Sequence, residues 1–381
     1  MDPETVQQFL DEQRDAAPEE LQQDFLNLED YWDRKLWHQL TDLLIELFDN
    51  RASSPQRLPL FRHFILSFSE KINQLKFVAL GLAAATQCQD DQERLDFFTD
   101  LAKKVNKPSS QDAYVYALVA GAEVKLRLQD LEGARKDLDT AELILDTFDS
   151  VEVEVHAAFY RTSASYYQAK ADFALFYRST LLYLACIETN ALSSSESQHL
   201  AYDLSIAALI SDSIYNFGEL LLHPLLSTLK STPHAWLRDV LYAFNKGDLA
   251  AYDALKGNFT REPLLEQHQT FLYQKISLAA LTEAVFRRPP HDRAMTFRTI
   301  SRETNVKVED IEILIMKALS LGLLKGSIDQ VGGVARINWV QPKVLDLEQI
   351  GGMRGRLREW DGSVNKLGNW IEGVGKDVWA A

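Results

Sequence analysis

Eight histidines, a few carboxylate clusters and one Gly-Lys pair are the residues of this chain whose types could support metal, acid-base or phosphate chemistry. Zinc hydrolysis needs two imidazoles on one helix face, and the scattered histidines offer neither a His-Glu-x-x-His nor a His-x-His pair. Cys88 and Cys186 form no Cys-x-x-Cys; they lie in separate apolar runs and read as buried thiols of a reducing compartment. Gly375-Lys376 is followed by Asp377 and lacks the upstream glycine of a phosphate-cradling loop, and Gly351-Gly352 before Gly355 follows no strand of a βαβ unit. There is no Gly-x-Ser-x-Gly elbow for a nucleophilic serine. Asp90, Asp91 and Glu93, like Glu303, Glu309 and Asp310, read as solvated helix faces and not as acid-base pairs. Arg287, Arg288, His291 and Arg293 make a small basic knot, either a surface ion-pair cluster or a contact for a phosphate or an acidic partner. No catalytic, cofactor-binding or metal-ligating set emerges, and the chain is expected not to be an enzyme and to take no small-molecule substrate.

What the side chains can do instead is bury apolar surface. Ile350, Met353, Leu357, Trp360, Val364, Leu367, Ile371, Val374 and Val378 recur three and four apart, a heptad seam of about four heptads. Gly355, Gly362, Gly368, Gly373 and Gly375 fall off that seam, and each costs a helix interior roughly 1 kcal/mol relative to alanine. A solitary helix of this composition is marginal in water, so a partner along the seam is expected, from the same chain or from another subunit. The plainer alternative is a terminal helix packed on one globular domain.

The segment before it reads as a winged helix. Thr296 is the capping candidate of a short helix with Phe297 and Ile300, and Val308, Ile311, Leu314, Ile315, Ala318 and Leu319 line a longer one. Two β-type runs, 323–331 and 334–340, meet at Gly332-Gly333, which suits a two-residue hairpin turn. The second helix carries Glu309, Asp310 and Glu312 at its start, which repel phosphate and disfavour DNA binding. The outer strand of the hairpin leaves backbone groups that a neighbouring chain could extend. Ile328, Ile337 and Trp339 are the candidate hairpin contacts; Ile337 and Trp339 equally suit the winged-helix core.

The rest of the chain must position these surfaces. Of the 381 residues 46% are hydrophobic and 25% charged, ordinary for a folded protein, and the net charge of -15 works against nucleic acid and anionic membranes. From Val6 to Arg288 the periodicity is helical, with one continuous amphipathic helix expected over Asp30–Asp49. Polar turns at Asp90, Asp130 and Asp172 recur roughly every 40 residues, and Gly247-Asp248 follows at about twice that spacing, near the period of helical-hairpin repeats. A curved right-handed stack of helix pairs follows. Phe77–Ala85 is too short to span a bilayer, and Met1-Asp2-Pro3-Glu4 lacks the basic start and apolar core of a signal peptide, so a cytoplasmic or nuclear protein is expected.

Three stretches carry a family resemblance: Lys35-Leu36-Trp37-His38-Gln39-Leu40-Thr41; Asn216-Phe217-Gly218-Glu219-Leu220-Leu221 with His223-Pro224; and Met316-Lys317-Ala318-Leu319-Ser320 continuing to Asp329. With Trp339-Val340-Gln341-Pro342 they resemble the regulatory-subunit-13 family of the 26S proteasome lid, whose members carry a PCI domain. The resemblance implies a mainly α fold: TPR-like helical repeats over residues 1–170, a PCI domain over 171–345 whose winged helix begins near 291, and a C-terminal bundle helix over 346–381. It further implies a non-catalytic scaffold in a hetero-oligomer with other PCI subunits and with MPN-domain subunits, binding through winged-helix edges and a helical bundle. Leu357, Trp360, Val364, Leu367, Ile371 and Val374 are the bundle candidates. The alternative is a PCI scaffold of the COP9 signalosome or of a translation initiation complex, the latter with RNA contact.

Overall fold

The computed structural model describes residues 3–148, 152–188, 192–289, 292–342 and 347–379. It divides into two units, residues 1–191 and 192–381. The first contains α1 (Pro3–Ala16), α2 (Glu19–Asp33), α3 (Trp37–Asp49), α4 (Arg57–Pro59), α5 (Gln74–Ala85), α6 (Asp91–Val105), α7 (Gln111–Arg127), α8 (Leu131–Leu145), α9 (Val153–Ala169) and α10 (Phe173–Cys186). The second contains α11 (Ser194–Ile210), α12 (Gly218–Leu222), α13 (Ala235–Lys246), α14 (Leu249–Leu255), α15 (Pro263–Gln267) and α16 (Gln269–Arg287). It continues through β1 (Ala294–Thr296), α17 (Phe297–Thr304), α18 (Ile311–Ser320), β2 (Leu324–Asp329), β3 (Val334–Val340) and α19 (Leu347–Trp379).

The recurrent polar turns close their hairpins in one way. Gln129 and Ala171 take left-handed φ of 64° and 57°, and the N–H of the aspartate that follows bonds back to the carbonyl of Lys125 or Tyr167, both at 2.9 Å. The aspartate carboxylate then caps the next helix, Asp130 accepting from Gly133 N–H at 2.9 Å and Asp172 from Leu175 N–H at 3.1 Å. Gly247-Asp248 repeats the device in the second unit with φ 64°, a 2.9 Å bond to Ala243 and a cap on Ala250 and Ala251. There glycine is obligatory, since a Cβ would sit 2.6 Å from the Cα of Ala280 on α16. The turn at Asp90 differs: Asp90 makes no side-chain cap, and Glu93 accepts from the Gln89 N–H instead.

The helix expected over Asp30–Asp49 is two helices. Lys35 adopts φ 56°, Leu36 N–H returns to the Tyr31 carbonyl at 2.9 Å, and Trp32 and Trp37 meet edge to face at 5.4 Å across the corner. No glycine or proline marks this break, so the apolar stripe runs straight through it in sequence. Phe25, Leu40, Phe61, Phe64, Phe68 and Phe77, each at most 1% exposed, fill the core beside it. A second cluster joins Val115 and Val119 of α7 to Leu138 of α8 and to Val155 and Phe159 of α9. Cys88 is buried and Cys186 half-buried, and burial raises both thiol pKa values.

In the second unit α16 carries a buried lysine. Lys275 is 1% exposed, and its Nζ donates to the carbonyls of Ala208, Leu209 and Ser211 at 2.8, 3.1 and 2.6 Å, at the C-terminal end of α11. That end bears the negative pole of the helix dipole and unpaired carbonyls, so a three-donor ammonium satisfies it. The rings of Tyr215 and Phe217 lie 5.3 Å from Nζ and that of Phe271 5.7 Å. The Phe217-Gly218 turn is thus an inner wall: Phe217 is 1% exposed.

Burial pushes the Lys275 ammonium down to about 7, partly opposed by the Asp212 carboxylate. Its folded value lies below the ordinary 10.5, so between those values the unfolded chain holds the extra proton and stability rises with pH. The penalty from this group is full below about 7 and fades towards 10.5. Urea unfolding of wild type and Lys275→Met across that range should show wild type gaining on the variant as pH rises; parallel curves would refute the titration of this site.

Candidate functional site

The three-stranded sheet has the order β1-β3-β2, all antiparallel, with β3 in the middle. Thr296 caps α17, accepting from the Thr299 N–H at 3.3 Å, as its position in the sequence predicts. Met295, Ile300, Ile311, Leu314, Ile315, Ala318, Leu324, Ala335 and Ile337 form the winged-helix core. Val308 departs from the expected stripe: it lies in a short 3-10 turn before α18 and is 46% exposed. The hairpin turn also differs, spanning residues 330–333 and not Gly332-Gly333 alone. Asp329 Oδ1 accepts from the Gly332 N–H at 2.9 Å, Gly333 takes φ 59°, and Val331 stands fully exposed at the tip.

Ile337 and Trp339 are two apart on β3 and should share a face, but they do not. Lys325 pairs with Trp339 and Gly326 with Ile337, leaving Asn338 as an extra residue. The bulge shifts the alternation by one, so Ile337 is 3% exposed in the core while Trp339 turns outward at 36% exposure. Gly326 permits it, because a Cβ there would lie 2.2 Å from the Arg336 carbonyl. Lys325 Nζ sits 4.8 Å above the Trp339 ring. Of the three hairpin candidates Trp339 is thus a surface residue, Ile328 packs partly against the core, and Ile337 belongs to it.

The tail candidates share one helix and one ridge. On α19 Ile350, Met353, Leu357, Trp360, Val364, Leu367 and Ile371 are 48, 41, 61, 67, 46, 56 and 49% exposed. The sequence reading missed Trp370, 63% exposed, which widens the ridge because a straight helix drifts about 20° per heptad. The side chains of Val374 and Val378 lie outside the described residues. Gly351, Gly355, Gly362 and Gly373 fall on the face opposite the ridge, and nothing lies within 4 Å of a Cβ built on any of them. The Arg356 guanidinium rests 5.9 Å from the Phe286 ring of α16.

The candidate basic knot divides. Arg287 pairs with Glu283 at 3.1 Å and Arg288 with Glu303 at 2.9 Å, the reading of a surface ion-pair cluster; His291 lies outside the described residues. The carboxylates of Asp91 and Glu93 pair with Arg94 and Arg62 at 2.9 and 2.8 Å. Among the described residues no group of three or more His, Cys, Asp and Glu could hold a metal ion.

Helical repeats, a winged helix and a terminal helix whose ridge is uncovered define a PCI-domain protein, and the sequence model of that domain matches residues 248–339. The family described as PSD13 N-terminal repeats matches residues 24–241, and that described as Rpn9 C-terminal helix matches 343–375. The chain is 46% identical to the protein named probable 26S proteasome regulatory subunit rpn9 of Schizosaccharomyces pombe, covering 97% of each. It is 40% identical to 26S proteasome regulatory subunit RPN9 of Saccharomyces cerevisiae over 93% of each. It is 34% identical to 26S proteasome non-ATPase regulatory subunit 13 homolog A of Arabidopsis thaliana, over 98% of this chain and 99% of that one. The chain belongs to this Rpn9/regulatory subunit 13 family.

With open space around Gly355 and Gly362, alanine at both should stabilise α19 by about 1 kcal/mol per site in the free protein. Amide exchange of residues 351–373 should slow accordingly; unchanged exchange would contradict a free, glycine-weakened helix.

Proposed function

We propose that this chain is a non-catalytic scaffold of the 26S proteasome regulatory particle lid, supporting lid assembly and through it ubiquitin-dependent degradation in cytoplasm and nucleus. The observation that carries the proposal is the ridge of α19. Seven glycines on this helix, Gly351, Gly352, Gly355, Gly362, Gly368, Gly373 and Gly375, weigh against it by about 7 kcal/mol relative to alanine. Burying the exposed halves of eight large apolar side chains from Ile350 to Ile371 returns about 6–12 kcal/mol, of the same size as that cost. A helix so composed is stable when partners cover its seam.

In this reading other PCI subunits and MPN-domain subunits supply those partners, through Leu357, Trp360, Val364, Leu367, Ile371 and Val374. The winged helix adds Trp339, with Ile328 further along the hairpin opposite Ala335. The repeats up to about residue 170, the PCI domain to about 345 and the tail from 346 divide the work: the first two place the edge, and the last engages the bundle. The regulatory-subunit names of the relatives do not require a reaction of the chain's own, and its ion-paired carboxylates are consistent with structural use.

Two variants test the proposal: a chain ending before Gly351, and full-length Leu357→Asp with Trp360→Asp, whose changes fall on exposed positions and leave the two units' cores intact. Both should fail to co-purify with the lid at wild-type level. Incorporation of either one undiminished would overturn the bundle role of α19.

A further inference from the structure

The surface by which a winged helix reads DNA is made by the outer face of its second helix and by its wing. In this chain that surface has inverted chemistry. On α18 Ile313 is 65% and Met316 56% exposed, one turn apart, and Val308 precedes them at 46%. Gln330 Nε2 donates to Glu312 Oε2 at 3.0 Å, which brings the wing turn beside the first turn of α18 and adds the fully exposed Val331 to the same surface. Glu309, Asp310 and Glu312 lie on the same segment, after the exposed Lys307, and none of the three carboxylates forms an ion pair among the described residues. Lys317, the helix's own cation, is turned aside to Gln274 at 2.9 Å.

Phosphate is repelled here, and four exposed apolar side chains on this segment and on the wing tip beside it are groups that water hydrates poorly. We infer that the α18 face and the wing tip form a docking site for a basic amphipathic segment of another polypeptide. Its apolar residues would cover Ile313, Met316 and Val331, and its lysines or arginines would meet Glu309, Asp310 and Glu312. The carboxylates fix the sign of the partner's charge and the apolar ridge its amphipathic character. The surface is separate from the ridge of α19 and from the Trp339 face of the hairpin. The inference rests on the reading of this chain as a subunit of a larger assembly.

The test uses the full chain within the purified assembly. Photoreactive p-benzoylphenylalanine replaces Ile313 in one sample and Val331 in another, both surface positions, and crosslinked peptides are sequenced by mass spectrometry. The expected crosslinks map to one partner segment with net positive charge and regularly spaced apolar residues. Glu309→Lys with Glu312→Lys should lower their yield about fivefold or more, as reversed charge pairs at an interface do, without lowering incorporation of the chain. Crosslinks to acidic segments or to nucleic acid, an absence of crosslinks from incorporated chain, or a yield indifferent to charge reversal would each overturn the inference. Failure of the unsubstituted chain to incorporate would instead overturn the scaffold reading itself.

Discussion

An ammonium group buried against three backbone carbonyls holds the second unit in register. Lys275 takes up three carbonyls that the end of α11 would otherwise leave unsatisfied in the interior, where each such group costs about 1–3 kcal/mol. The same side chain fixes the path of the chain after α11, since Tyr215 and Phe217 pack their rings around it. From α16, which bears this lysine, Ala280 receives the Gly247 turn and Leu278, Leu281 and Val285 enter the winged-helix core. One helix therefore connects the preceding helices with the sheet, and its placement depends on a polar contact that apolar packing alone would not specify.

The two parts of the unit treat apolar surface in opposite ways. On α16 Leu272, Ile276, Leu278, Leu281 and Val285 are fully buried, whereas on α19 the large apolar side chains stand half-exposed on a helix weakened by glycine. Burial as complete as that of the core would have removed the tail's capacity to engage anything else. The acidic balance of the chain acts in the same direction, holding off nonspecific phosphate contacts while uncharged ridges remain available for specific association.

Much of this was legible in the sequence where a period or a cap announces it. The seam of α19 is a strict three-four alternation, Thr296 stands where a cap must stand, and the aspartates after the hairpin turns are strong cap residues. Family membership was legible from long motifs such as Asn216–Leu221. The missed features share a physical cause: they depend on one residue leaving a regular pattern. Lys35 enters the left-handed region without glycine, and Asn338 adds one residue to a strand. Four residues make a turn where two suffice, and Lys275 lies among polar and apolar residues with no nearby signal that its charge points inward. Trp370 was missed because a heptad template ignores the gradual rotation of a straight helix.

The displaced phase of β3 has a consequence for how the wing can change over time. Because Asn338 separates Ile337 from Trp339, one side chain answers to the interior and the other to solvent, although they are near neighbours on one strand. Substitution at the outward position can alter affinity for other molecules while the interior keeps its fit. In the proposed reading, in which Trp339 meets a partner, selection for folding and selection for recognition act on different residues of the same short ribbon, and a lineage can revise its associations without first surrendering its fold.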